Sequence, residues 1–160
     1  MASKHAPRGA KRRHSVRNAK KRPKPRASDV HRSRIMRAVR RTRTAPEESV
    51  AEAFRASRLR FRRNVPSLPG SPDFANKSRR IAVFVHGCYW HRHPGCRLTT
   101  SPKHNEGFWR EKFSSNVRRD KQITIALQRL GYKVAVIWEC ETRNSTALRR
   151  RAKAILRHWK

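Results

Sequence analysis

The sequence predicts an α/β domain in which a small mixed sheet is flanked by helices and preceded by a basic arm. Three observations carry this. Residues 81–85, IAVFV, and residues 133–138, KVAVIW, are short apolar runs of strand length. Around them, apolar residues recur at helical spacing: Val50, Ala53 and Phe54; Phe108, Phe113, Val117, Ile123, Leu127 and Leu130; and Leu148, Ala152, Ile155, Leu156 and Trp159. The first 28 residues hold eleven Lys and Arg and no acid, too polar to offset ordering entropy. The expected division is therefore a disordered arm over 1–28 and a folded domain over 29–160.

In chain order, residues 32–41 read as a short basic helix. Thr44-Ala-Pro-Glu47 then has the spacing of a capping box, with proline tolerated in the first turn, and gives Glu47 a structural role as the carboxylate that closes the cap. Residues 59–63 alternate apolar and basic, the pattern of a half-buried strand. Pro66, Pro69, Gly70 and Pro72 interrupt regular structure up to Asp73, where a second strand opens. A turn through residues 76–79 leads into the third strand, ending at His86. Residues 88–104 read as loop. A long helix spans 106–130 and stops at Gly131, a residue suited to a left-handed C-terminus. A fourth strand over 133–138 delivers Cys140, and a basic amphipathic helix ends the chain. The order α-β-β-β-α-β-α implies helices packed on a mixed sheet.

The chain has 160 residues, with 42 Lys and Arg against 10 Asp and Glu, a formal charge of +32. An excess of this size points to a polyanionic partner bound in a salt-dependent way. No apolar run reaches the roughly 18 residues of a membrane span. Three cysteines make a disulfide framework improbable and fit a reducing, cytoplasmic setting.

The chemistry is concentrated between Leu68 and Cys96, LPGSPDFANKSRRIAVFVHGCYWHRHPGC. His86, Cys88, His91, His93 and Cys96 place five possible metal ligands in eleven positions. Cys88, His93 and Cys96, with Cys140 from beyond the next strand, offer the soft donors of a closed, structural zinc site. Such a site would cross-link a loop that has no core of its own; the other reading is three ordinary thiols. A hairpin through residues 76–79 brings Asp73 toward His86 and His91. A carboxylate there can hold Mg²⁺ on a phosphate, an imidazole can take a proton from water, and Asp120 from the long helix can orient that imidazole. Against this stand a turn-capping Asp73, a satisfied strand-end His86, and an Asp120 paired with Arg118 or Arg119. Tyr89 and Trp90, in a loop expected to be exposed, and Trp109 are candidates for stacking on bases. The rivals to a Mg²⁺ nuclease are a non-enzymatic zinc-bearing nucleic-acid-binding protein, attractive on charge alone, and a zinc hydrolase using His86 and His91.

RSRIMRAV, TAPEES, LPGSPDF, VFVHGCYWHRH, FWREKFSSNVRRD and GYKVAVIWEC together resemble the very short patch repair endonucleases, over residues 29–141 and in the same order. The resemblance implies a restriction endonuclease-like fold and a Mg²⁺-dependent nick on the 5′ side of the thymine in a T:G mismatch of double-stranded DNA. Such mismatches arise from deaminated 5-methylcytosine at the sites of a companion cytosine-5 methyltransferase, and other mismatch-repair proteins are possible partners. By position, Asp73 matches the acid that binds Mg²⁺, one of two such ions. Val85 matches a residue contacting metal through its backbone carbonyl. His91 matches the histidine that activates water, with His86, Asp120 and Glu47 as supporting residues. Cys88, His93, Cys96 and Cys140 match the ligands of one structural Zn²⁺; Tyr89, Trp90 and Trp109 match aromatics that intercalate beside the mismatch. The chain departs from the family at Tyr89, often phenylalanine, at Val85, threonine in some members, and at Pro94-Gly95, one residue longer than in some relatives.

Overall fold

A computed structural model describes residues 43–58 and 60–157. The basic arm over 1–28, the helix expected over 32–41, Leu59 and Trp159 lie outside the described residues. Helix α1 (Ala45–Ala56) leads to strands β1 (Arg62–Arg63), β2 (Phe74–Asn76) and β3 (Ile81–His86). A short helix α2 (Cys88–His91) and the long α3 (Glu106–Arg129) connect to β4 (Lys133–Trp138). A 3-10 turn (Glu139–Arg143) and helix α4 (Ser145–Arg157) follow. The sheet order is β1-β2-β3-β4, antiparallel except for the parallel β3–β4 pair, so the expected mixed sheet is present.

β3 is the hub. Its first four residues, Ile81, Ala82, Val83 and Phe84, are all buried, as in a strand covered on both faces. Side chains alternate along a strand, so odd positions face one layer and even positions the other. Ile81 and Val83 join Ala135 and Ile137 of β4 against α1 and α4, through Val50, Phe54, Leu148, Ala152 and Ile155. Ala82 and Phe84 meet Leu127 of α3, with Ile123 and Val134 packed beside them. Burying one large apolar side chain such as Phe54, only 1% exposed, contributes roughly 2–3 kcal/mol. Phe54 also stacks on Phe61 at 4.3 Å and meets Phe74 edge-on at 5.3 Å, fixing α1 against the β1–β2 end.

Three local differences from the sequence reading have physical causes. The first strand is two residues long, because Phe61 is drawn onto Phe54 and Arg63 forms a bidentate pair with Glu48 at 3.0 and 2.6 Å. The segment after β3 is not all loop, since Cys88–His91 makes a helical turn closed by Arg92 in the left-handed region, φ 57°. Cys140 lies inside a 3-10 turn, where the Trp138 N–H donates to the Glu141 carboxylate at 2.7 Å.

The proline-rich approach to Asp73 depends on Gly70. Its φ of +74° suits glycine, and an added Cβ would lie 2.5 Å from Ile123 Cγ2 on α3. Gly70→Ala is therefore expected to destabilise the fold by about 2 kcal/mol, read as a drop in thermal midpoint; an unchanged midpoint would contradict this packing.

Candidate active site and metal centre

The in-register pairing of β3 and β4 sets His86 opposite Trp138. Alternation sends His86 to the same face as Ala82 and Phe84, toward α3. On α3, Asp120 falls in the helical stripe that includes Phe113, Asn116, Ile123 and Leu127. His91, at the end of α2, lies between them. Its ring stacks on His86 with centroids 3.9 Å apart, and its Nδ1 is 2.6 Å from Asp120 Oδ2. The second Asp120 oxygen is 3.8 Å from Arg119. Ligand atoms of His86, His91 and Asp120 all lie within 4.8 Å of one another. Burial, and then the adjacent His91, push His86 down to about 4, which keeps it neutral.

Asp73 sits beside this group, not within it. Its main-chain carbonyl accepts from Asn64 N–H at 2.9 Å, continuing the β1–β2 hairpin. Its Oδ2 accepts the Val85 N–H at 2.7 Å. Val85 thus meets Asp73 through its N–H. Burial raises the Asp73 carboxyl to about 6; the Val85 N–H opposes the rise, Glu47 adds to it and His91 opposes it. Glu47, 6% exposed, is the second acid here. It accepts from Arg43 N–H at 2.8 Å and from the Thr44 hydroxyl at 2.9 Å, while Thr44 makes no side-chain cap of its own. The expected capping box is therefore not formed: Glu47 reaches back to Arg43 N–H, one residue before the N-cap, and to the Thr44 hydroxyl, and its charge is also felt at Asp73. The charge of Glu47 adds to the cost of ionising Asp73, a cost that a divalent cation bound there would relieve.

Cys88, His93, Cys96 and Cys140 bring three thiols and an imidazole nitrogen within 4.8 Å of one another. His93 Nδ1 is 3.6 Å from Cys88 Sγ and 3.3 Å from Cys140 Sγ. Sulfur and nitrogen ligands on one tetrahedral zinc, at about 2.3 and 2.0 Å from the metal, stand about 3.5 Å apart, so the donor set and its spacing fit. Burial pushes the Cys88 thiol up to about 12 and also raises Cys140, whereas the Leu98 N–H holds Cys96 down. A buried thiol so resistant to ionisation needs a cation to become a thiolate.

Tyr89, Trp90 and Trp109 form one cluster. Tyr89 meets Trp90 edge-on at 5.0 Å and Phe113 at 5.2 Å, and Trp90 lies 6.2 Å from Trp109. All three are half-buried, so the expected fully exposed loop is corrected: buried Phe113 anchors them. Phe108 packs on Trp109 at 5.3 Å.

Sequence reading passed over three residues that organise the site. Trp138 stacks on His93 at 4.2 Å and meets His86 edge-on at 5.5 Å, so it separates the thiol cluster from the imidazole pair. Parallel register at the two strand ends was the signal for it. Buried Asn116 donates its amide to the Trp90 carbonyl at 3.1 Å, and a polar residue within the apolar stripe of a helix was its signal. Arg92, whose guanidinium lies 4.4 Å from the Phe113 ring, had none.

Comparisons with known proteins agree with one another. The family described as DNA mismatch endonuclease Vsr matches residues 27–97. The type II nicking enzyme V.XorIIP of Xanthomonas oryzae is 40% identical over 131 residues, 82% of this chain and 96% of that protein. The DNA mismatch endonuclease Vsr of Escherichia coli is 41% identical over 125 residues, 76% of this chain and 80% of that one. The type II nicking enzyme V.NmeAIP of Neisseria meningitidis is 35% identical over 129 residues, 81% and 91% of the two chains. These relatives place the chain among the endonucleases. It belongs to the DNA mismatch endonuclease Vsr family.

Because the folded-state pKa of Asp73 is raised, the fold is favoured where this acid is protonated, and that advantage is lost as pH rises from about 4 through 6. Asp73→Asn keeps an acceptor for Val85 N–H and removes the charge. Without added divalent ions it should gain about 2–3 kcal/mol over the wild type at pH 8 and nothing near pH 4. Equal melting curves at pH 8 would contradict the burial described.

Proposed function

We propose that this protein is a restriction endonuclease-like, Mg²⁺-dependent enzyme that nicks one strand of double-stranded DNA on the 5′ side of the thymine in a T:G mismatch. The observation that carries the reading is the His91–Asp120 pair at 2.6 Å, stacked on a neutral His86 and set beside the half-buried Asp73. Asp73, with Glu47 nearby and the Val85 main chain, would hold one of two Mg²⁺ ions. Mg²⁺ there would polarise the scissile phosphate and stabilise charge on the leaving 3′ oxygen.

Within that frame each residue has a task. Asp120 holds His91 by Nδ1, leaving Nε2 to accept a proton from the attacking water. His86 packs the ring in place and, lowered to about 4 by burial, is too weak a base to compete with His91 for the proton. Cys88, His93, Cys96 and Cys140 would hold one structural Zn²⁺ and have no part in the hydrolysis. Tyr89, Trp90 and Trp109 form the wedge. A weakly stacked T:G pair costs less to open than a sound pair, by on the order of a few kcal/mol, and selectivity draws on that difference. The remaining +21 of the chain beyond the basic arm supplies affinity without sequence choice. The companion cytosine-5 methyltransferase would generate the substrate indirectly, as the source of 5-methylcytosine in a shared bacterial cytoplasm.

A second reading has its own support. V.XorIIP and V.NmeAIP carry the name type II nicking enzyme, which favours a nick at a different recognition sequence by the same chemistry.

End-labelled duplexes, matched or carrying one T:G pair within varied flanks, separate the readings. We expect a Mg²⁺-dependent nick 5′ of the mismatched T, with at least 100-fold preference over matched DNA. A nick at matched sites would favour the second reading, and Mg²⁺-independent cutting would overturn the metal assignment.

A further inference from the structure

The site around His86, His91 and Asp120 opens into a cleft of about 460 Å³, and the Trp109 end of α3 into another of about 590 Å³. The two share Arg92 and Val117 on their walls. They form one groove along α3, from the imidazole pair to the aromatic cluster, with Arg92 at the junction. We infer that Arg92 is a phosphate clamp, a binding site for one phosphodiester of the nicked strand between the aromatic wedge and the scissile bond. The inference rests on the proposed nuclease reading.

Three observations support it. Arg92 is pre-organised: its guanidinium lies 4.4 Å from the Phe113 ring centroid, Nη1 donates to the Thr100 carbonyl at 2.8 Å, and Nη2 donates to Ser101 Oγ at 2.9 Å. Each of those nitrogens carries a second N–H, so a held guanidinium keeps donors for an anion at little further entropic cost. Second, no acid pairs with it among the described residues, while Arg110, Arg118 and Lys121 line the same groove against two carboxylates, Glu106 at one end and Asp120, held by His91, at the other. Third, the spacing is right. Along α3, Asp120 and Phe113 are seven residues apart, about 10 Å, and Trp109 lies about 6 Å beyond. Arg92, over Phe113, therefore stands along α3 between the level of Asp120 and that of Trp109. The neighbours in sequence agree: Trp90 belongs to the wedge and His91 to the imidazole pair. A clamp beside both holds the phosphodiester next to the opened base in register for the cut.

The test is the salt dependence of DNA binding, measured without Mg²⁺ on the full-length chain with a T:G duplex. Arg92→Ala should lower the slope of log K against log salt by about 0.9, the signature of one lost phosphate contact. With Mg²⁺, KM should rise about tenfold with a much smaller change in kcat, and nicks should spread to neighbouring phosphodiesters. Arg92→Gln keeps part of the stem and a neutral, polar end and should show the same slope change, which covers the case in which the alanine variant folds poorly. Arg92→Lys should restore the slope but leave the cut position blurred, since an ammonium lacks the planar fork. An unchanged slope in both neutral variants, while wild type still nicks the T:G strand, would overturn the clamp and leave the proposed function standing. A lowered slope in a protein that never nicks T:G DNA would do the reverse.

Discussion

Four side-chain donors tie the segment after β3 to the turn after β4, and the site is arranged around that tie. Residues 87–105 carry almost no aliphatic surface, yet they supply His91, Arg92, Tyr89 and Trp90. Ordering such a segment costs on the order of 1–2 kcal/mol per residue in backbone entropy, which its own contacts cannot return. Bound zinc would contribute on the order of 10 kcal/mol at one point and make the loop part of the fold. Buried Cys88, the Cys88 N–H held by Glu139 at 3.2 Å, and Thr99 donating to the carbonyls of Cys88 and His93 show the chain converging on that point.

The sheet then sets the imidazole pair beside that point of convergence. β3 and β4 end together, so His86 and Trp138 stand side by side facing α3. Trp138 lies flat on His93 and edge-on to His86, which makes the thiol cluster and the imidazole pair two sides of one wall. On the far side, the residue before β2 is Asp73, fastened to β3 by the Val85 N–H. Burial acts on the two kinds of group in opposite senses, raising the Asp73 carboxyl and lowering the His86 imidazole. Near neutral pH the imidazole therefore stays uncharged, while the carboxyl ionises at a cost that a bound cation would relieve.

Much of this was legible in the chain. The hairpin through Asn76 to Arg79, the hub strand ending at His86 and the long helix follow from alternation, a turn sequence and 3.6-residue spacing. The thiol and imidazole set was legible because cysteine and histidine are few and chemically specific. Other features were not. The two-residue β1 and the 3-10 turn at Glu139–Arg143 are set by tertiary partners, Phe54, Glu48 and the Glu141 carboxylate, that local pattern does not encode. Glu47 was ambiguous for a physical reason: one oxygen meets the Thr44 hydroxyl and the other Arg43 N–H, while its charge is felt at Asp73. Arg92 was one arginine among many, and only its place over Phe113 distinguishes it.

The central claim is that Cys88, His93, Cys96 and Cys140 act as one metal centre that holds the reactive segment in place. The most direct measurement is the zinc content of the purified full-length protein, compared with that of Cys140→Ser. The account predicts close to one zinc per chain in the wild type. In the variant it predicts loss of the metal together with a large fall in thermal midpoint. A wild-type protein without zinc, or a Cys140→Ser variant that melts at the same temperature with its zinc retained, would contradict it.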